Sequence, residues 1–421
     1  MSELCISVCH PVRLSRFLAG LKRAALSCFI KYFSVIGLLI SLPALSAGSF
    51  EPRLVDSLNA LQFKSDDISQ SKISSLIDDY PNSQTAHLLM GDLLAARAGV
   101  IDPLSMRAHY QAPETLHQLD GLRDEVRLRW NKSSMIGPAE KGLIPASLIQ
   151  LAPNRKTVVV VDTAKARLYT YKNTAGRFSL LVDNYTTIGE KGTHKRLEGD
   201  ERTPIGVYHI TRYIKDQDLP PLYGTGAFPI NYPNSLDKHY GRTGYGIWLH
   251  GTHPESFNRV PLASDGCVAM SNPEFDQLIP LIDPSDKTPV IISDHITWIK
   301  PEYLDVTRDF FNKLLQQWVA DWESLDPQRY LSHYDQAEFF SSTHNYASWA
   351  RHKTALNARK SSIDVELSNI SLFSYPGERE LVVAEFTQDY SSNNFESNAH
   401  KRQYWRRNTN GEWKIIFEGT Q

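Results

Sequence analysis

The chain of 421 residues has room for two to four domains of roughly 100–200 residues each. Its 41% hydrophobic and 22% charged residues are ordinary for a folded soluble protein, which excludes a wholly disordered or fibrous chain. A formal net charge of −2 argues against a nucleic-acid binder, no apolar run reaches the roughly 18 residues of a membrane span, and four cysteines are too few for a disulfide scaffold.

The first 47 residues carry Arg13, Arg16, Lys22, Arg23 and Lys31 against one acid, Glu3. The apolar run Phe33–Leu42 follows, then the small-residue stretch Ala44–Gly48. Basic, apolar and small segments in that order predict a secretory signal peptide over residues 1–47, cut after Ser46 or Ala47. The alternatives are an uncleaved inner-membrane anchor and a buried N-terminal helix. Cleavage removes five basic residues and one acid, taking the charge from −2 to −6. It also removes Cys5, Cys9 and Cys28, so Cys267 is left as the one thiol in a compartment where thiols usually end as disulfides. Such a cysteine is either buried and inert or a working nucleophile.

Residues 48–150 are predicted helical. Apolar residues recur at three- and four-residue spacing over Val55–Leu61, Ile68–Leu76 and Thr85–Ala98, with a break at Tyr80-Pro81-Asn82. Pro81–Gly99 has the rhythm of a helical-repeat hairpin, but one copy does not make an array, and a packing or partner-docking module is the reading preferred. From Lys156 the period becomes two. Thr157–Val161 and Arg167–Tyr171 flank a short polar break as a hairpin does. More strand-like pieces follow at Phe178–Val182, Tyr185–Ile188, Gly206–Thr211, Gly246–Leu249 and Val290–Ser293, so residues 151–297 are predicted to form a mostly antiparallel sheet or sandwich. The third segment, 301–421, opens with an amphipathic helix over Asp305–Asp321, with Phe310, Leu314 and Trp318 at four-residue spacing. Strands are expected over Ser361–Phe373 and Glu380–Asp389, then a hairpin of Gln403–Arg407 and Glu412–Glu418 across Asn408–Gly411. The fold class is multidomain α+β.

The chemistry concentrates in Tyr245–Asn272. A strand ending at Leu249 delivers His250 at its tip, and Gly251 lets the chain turn without a side chain in the cleft. Thirteen residues later Ser264-Asp265-Gly266-Cys267 begins. A glycine before a cysteine allows backbone N–H groups to converge on one point, as an oxyanion hole needs. A thiol needs a base or a positive neighbour to react at neutral pH, and imidazole is the usual supplier.

His250-Gly251, a loop, and Ser264-Asp265-Gly266-Cys267-Val268 together resemble the signature of the L,D-transpeptidase (YkuD-type) family. Thr203-Pro204-Ile205-Gly206, the turn from Ile188-Gly189 to Gly192, Asn231-Tyr232-Pro233-Asn234 and Gly241-Arg242-Thr243-Gly244 resemble its supporting pieces in order, so the likeness covers about residues 155–295. The resemblance implies peptidoglycan stem peptides as partners: Cys267 attacks the carbonyl between an L and a D centre of a tetrapeptide, the terminal D-alanine leaves, and an amine or water resolves the thioester. It further implies His250 as base and then acid, the Gly251 carbonyl as orienter of the imidazole, and N–H groups around Asp265–Cys267 as oxyanion donors, with Ser264 shaping the loop. Two positions depart from the family pattern. Asp265 stands where many members have His or Arg, and it opposes a thiolate. Ala269 stands where many have Arg or Asn, so Arg242 or Arg202, with Tyr232, is the expected substrate contact.

Residues 301–421 resemble, more loosely, the nuclear-transport-factor-2-like cone. Trp318, Trp322, Trp349, Trp405 and Trp413 are read first as core filling, and second as a pocket for wall glycan. A wall-glycan or protein partner is open for residues 48–150 as well. No metal and no cofactor is expected: Gly251 and Pro254 break up the His250/His253 pair, there is no Cys-x-x-Cys, and Gly241-x-x-Gly244-x-Gly246 precedes a strand where a dinucleotide loop would follow one. Lys191–Arg196 reads as a solvated loop. Three functions stay open: an exported L,D-transpeptidase in the periplasm, a carboxypeptidase or wall-protein-releasing amidase on the same fold, and a wall-binding module with Cys267 inert.

Overall fold

The computed structural model describes residues 49–63, 66–99, 113–133, 137–138 and 141–421, and the signal peptide expected over 1–47 lies outside them. No helix among the described residues is long and apolar enough to cross a membrane.

Four helices come first: α1 (Phe50–Phe63), α2 (Asp66–Asp79), α3 (Gln84–Arg97) and α4 (Pro113–Ser133). Leu54, Leu58, Ile73, Leu76, Leu89 and Leu93 meet between them at the expected helical spacing. Ser83 caps α3, its hydroxyl accepting from the Ala86 N–H. Helix α4 lies within the range predicted helical, although charged residues interrupt its apolar stripe and it has no distinct pattern of its own. It is nevertheless anchored by a fully buried pair, Glu125 and Arg129. The prediction of helix to residue 150 needs correction at its end. Strands β1 (Ile144–Pro145) and β2 (Leu148–Gln150) occupy that tail, and both are too short to display a period.

Twelve strands follow up to residue 299: β3 (Thr157–Asp162), β4 (Arg167–Thr174), β5 (Arg177–Tyr185), β6 (Ile188–Gly189), β7 (Gly206–His209), β8 (Ile214–Lys215), β9 (Gly226–Pro229), β10 (Trp248–His250), β11 (Leu262–Ser264), β12 (Val268–Ala269), β13 (Pro289–Ser293) and β14 (Trp298–Ile299). Two short helices, α5 (Ser235–His239) and α6 (Asn272–Leu278), interrupt them. The larger sheet runs β5-β4-β3-β13-β7 and a second runs β12-β10-β9-β8. Most pairs are antiparallel, but β3/β13, β10/β12 and β6/β11 are parallel. The valine run of β3 is explained by burial on both faces. Val159 and Val161 enter the core between the two sheets, while Val158 and Val160 enter the core shared with the C-terminal domain.

The C-terminal part is α7 (Glu302–Glu323), α8 (Pro327–Leu331) and α9 (Tyr346–Asn357) against four long antiparallel strands, β15 (Ile363–Ser374), β16 (Leu381–Ser392), β17 (Phe395–Arg407) and β18 (Trp413–Thr420). Strand β2 adds to the free edge of β15, so the sheet has five members. Helix α7 buries Phe311, Leu315, Trp318 and Trp322; of the expected face Trp318 is buried, Leu314 is partly buried against the same core and Phe310 is exposed, so the apolar face is turned towards Phe311 and Leu315. Trp318 and Trp405 are fully buried and Trp349 and Trp413 partly so, all packed in one core. Tyr375 reaches into the catalytic half, where its hydroxyl accepts from Asn234 Nδ2 at 2.8 Å and fills the space a Cβ on Gly206 would need. Arg402 donates to the Val207 carbonyl at 2.8 Å. The two halves therefore share buried contacts rather than a linker.

Candidate active site

Strand β10 is the base of the site. It pairs antiparallel with β9 and parallel with β12, in a register that sets Leu249 against Val268 and His250 against Ala269. One residue back, the same register puts Cys267 across from Trp248. Leu249 and Val268 point into the core, so alternation turns His250 and Cys267 together to the other face. They are thus diagonal neighbours across β10 and the residue that enters β12. Their side chains are 3% and 8% exposed.

His250 Nδ1 lies 2.6 Å from the Gly251 carbonyl. A carbonyl only accepts, so Nδ1 carries the proton and Nε2 is left bare as a base. Burial pulls the imidazole pKa down to about 4; the Gly251 bond opposes this and the Arg259 guanidinium adds to it. The Tyr223 ring stands edge-on to the imidazole at 5.0 Å. The Cys267 thiol donates to the Gly246 carbonyl at 3.3 Å. Burial pushes its pKa up to about 11; the Trp248 N–H lowers it, Asp265 raises it, and Arg259 and Lys195 lower it. At neutral pH both groups are thus uncharged. No hydrogen bond joins them directly among the described residues.

The turn before the cysteine is tightly specified. Ser264 Oγ donates to the Cys267 carbonyl at 2.7 Å and accepts from the Gly266 N–H at 3.2 Å. Gly266 has φ +117°, and a Cβ there would sit 2.6 Å from the Arg202 carbonyl. Thr203 Oγ1 donates to the Gly266 carbonyl and accepts from the Gly189 N–H, both at 2.9 Å, tying the turn to the Thr-Pro-x-Gly segment. Asp265 is exposed.

Asn272 was not singled out by the sequence. Its Oδ1 accepts from the Thr252 N–H at 2.9 Å and the Thr225 N–H at 3.3 Å, in the space where a Cβ on Gly251 or Gly224 would fall. It fixes the chain directly after His250. Nothing in an isolated Ser-Asn-Pro marks that role.

The expected substrate contacts are committed elsewhere. Arg242 donates to Asp237 at 2.8 Å and to Glu378 of the C-terminal domain at 3.3 Å. Arg202 Nη1 donates to the Thr193 carbonyl at 3.0 Å, and Tyr232 is buried with its hydroxyl on the Thr243 carbonyl at 3.0 Å. The cation whose charge lowers the pKa of both Cys267 and His250 is Arg259, which no sequence pattern marks because it lies in an irregular loop. Among the described residues no group of three or more His, Cys, Asp or Glu could hold a metal.

Residues 156–292 match the family model of the L,D-transpeptidase catalytic domain (YkuD). The chain carries an L,D-transpeptidase catalytic domain. Residues 310–419 match the Cds6 C-terminal NTF2-like domain. Helices α1–α4 precede both matched ranges. Among solved structures the chain is similar to Bd1075 of Bdellovibrio bacteriovorus, at 28% identity and TM-score 0.58 over 66% of this chain and 98% of that one. It is also similar to the helical cell shape determining protein Pgp2 of Campylobacter jejuni, at 27% identity and TM-score 0.54 over 65% and 95%. None of the curated proteins compared matches it. The Cys267–His250 pair and the Thr203 clamp all lie within the L,D-transpeptidase domain.

Proposed function

We propose that this protein is an exported, periplasmic L,D-transpeptidase that acts on peptidoglycan tetrapeptide stems through a thioester on Cys267. The observation that carries the reading is the Nδ1–Gly251 hydrogen bond, which leaves Nε2 of a neutral His250 free on the face it shares with Cys267.

With the thiol high and the imidazole low in pKa, a resting thiolate–imidazolium pair is not stable. The thiol proton therefore moves to Nε2 as sulfur attacks the carbonyl between the L and D centres. The C–N bond then breaks, imidazolium returns the proton to the departing D-alanine amine, and a thioester remains. An acceptor amine or water attacks that thioester, losing its proton to His250, and the thiol is regenerated.

Hydrolysis is the second reading, and the deep burial of Cys267 favours it, because water reaches such a site more readily than a second stem. Incubating the chain without residues 1–47 with disaccharide-tetrapeptide separates the outcomes by product mass: dimer for transpeptidation, tripeptide for carboxypeptidation, unchanged substrate for an inert module. Cys267→Ser is nearly isosteric and is expected to abolish turnover with the melting temperature kept. Retained activity would mean that the nucleophile is another residue.

A further inference from the structure

The loop between His250 and Ser264 contains no helix or strand from 251 to 261, yet it is held from two sides. On one side the N-terminal helices grip it. The Phe257 ring packs against Phe50 at 4.4 Å and Tyr80 at 4.8 Å, and Asn258 Nδ2 donates to Glu125 on α4. Gly121 of α4 lies so close to Val260 that any Cβ would meet it at 3.1 Å. On the other side the Arg259 carbonyl accepts from Tyr185 Oη at 3.1 Å and Thr187 Oγ1 at 3.0 Å. Thr187 exchanges main-chain hydrogen bonds with Ala269, the residue across from His250. The backbone of Arg259 is thereby fixed one strand away from the reacting pair.

Its guanidinium differs from the other cations nearby in what it is bonded to. Lys195 is bound to Asp200 at 2.7 Å, Arg202 to a carbonyl, and Arg242 to two carboxylates. Arg259 has no carboxylate partner among the described residues, and its positive charge lowers the pKa of both Cys267 and His250. The exposed Asp265 carboxylate raises the thiol pKa, and the same charge repels an anion at the site. A stem peptide with carboxylates beside the scissile bond needs a cation to offset that repulsion, and a guanidinium fork fits a carboxylate in bidentate geometry.

We propose that Arg259 is the receptor for a stem-peptide carboxylate next to the scissile bond, and that the helices of residues 50–133 hold its loop in position. The inference rests on the function proposed above. Two carboxylates qualify chemically: the α-carboxylate of the leaving residue, and the side-chain carboxylate of the diamino acid at position three.

The test compares the wild type and Arg259→Gln on three tetrapeptide stems: the free acid, the terminal carboxamide, and the diamino acid carboxamide. For the wild type, kcat/KM is expected to fall about 10- to 100-fold on one of the two amides, the range of a charge-assisted hydrogen bond, and that amide identifies the carboxylate. Arg259→Gln is expected to lose the same factor on the acid, chiefly through KM, and to turn over acid and amide equally. Arg259→Lys should recover part of the discrimination but not all. Equal wild-type turnover of all three stems, or undiminished discrimination in Arg259→Gln, overturns the receptor role while leaving the function intact. No wild-type turnover of any stem overturns the function and the receptor role with it.

Discussion

Arg129→Met tests the buried charge network that joins the N-terminal helices to the catalytic domain. Arg129 is wholly buried and donates at 2.9 Å to both Glu125 and Glu51, with its guanidinium 3.9 Å over the Tyr185 ring. Without it Glu51 still has Arg167 at 2.7 Å and Lys132 at 3.9 Å. Glu125 keeps only neutral donors, Thr85 Oγ1 at 2.8 Å and Asn258 Nδ2. Glu274, 3.9 Å from Arg129, keeps its two Ser271 hydrogen bonds and the Arg167 charge, so the loss falls chiefly on the buried Glu125 carboxylate, for which about 3–5 kcal/mol is the usual cost. Burial already raises the Glu125 pKa, with Arg129 the leading opposing influence. In the variant the folded pKa rises further above the unfolded one, so proton uptake relieves the fold at low pH and the deficit grows as pH rises. Urea unfolding, with hydrogen exchange localised to residues 50–133, is expected to show the full deficit at pH 8 and a smaller one at pH 5. Adding Glu125→Gln to Arg129→Met should recover most of it. A deficit below about 1 kcal/mol at pH 8, or one equal at both pH values, would refute the reasoning.

Three further outcomes follow from the same geometry. Iodoacetamide should alkylate Cys267 about tenfold faster per pH unit towards its pKa of about 11, with no plateau near neutrality; mass spectrometry of the adduct over time measures this. Catalytic efficiency is expected to hold above about pH 5 and collapse near pH 4 as His250 takes a proton, and because its folded pKa lies below the ordinary 6.5, stability also declines as pH falls from 6.5 towards 4. Glu385 sits between Arg155 at 2.5 Å and Arg402 at 3.5 Å, which hold its pKa down to about 2 against burial. Its contribution, on the order of 3 kcal/mol, is complete above the ordinary 4.5 and lost as pH falls through about 2, so Glu385→Gln should melt lower at pH 7 and match the wild type near pH 2.

The sequence alone determined the local features that depend on neighbours in the chain. The strand period from Lys156, the helical spacing of α1–α3, and the hairpin across Asn408–Gly411 are all of this kind. The Ser264–Cys267 turn with its obligatory Gly266 was visible too, because a glycine before a cysteine constrains the backbone within four residues. Trp318 and its fellows were rightly read first as core, since large aromatic surfaces leave water whenever a sheet can cover them. Tertiary structure decided everything that needs two distant segments to meet. Arg242 looked available until folding brought Glu378 to it across 136 residues. Arg259 looked anonymous until α1, α4 and the Thr187 bridge to Ala269 closed on its loop. Likewise β2 became a strand only because β15 had an unpaired edge. The physical reason is common to all three: an ion pair, a buried ring or a ladder bond is a property of two surfaces in contact. A linear pattern records only one of them.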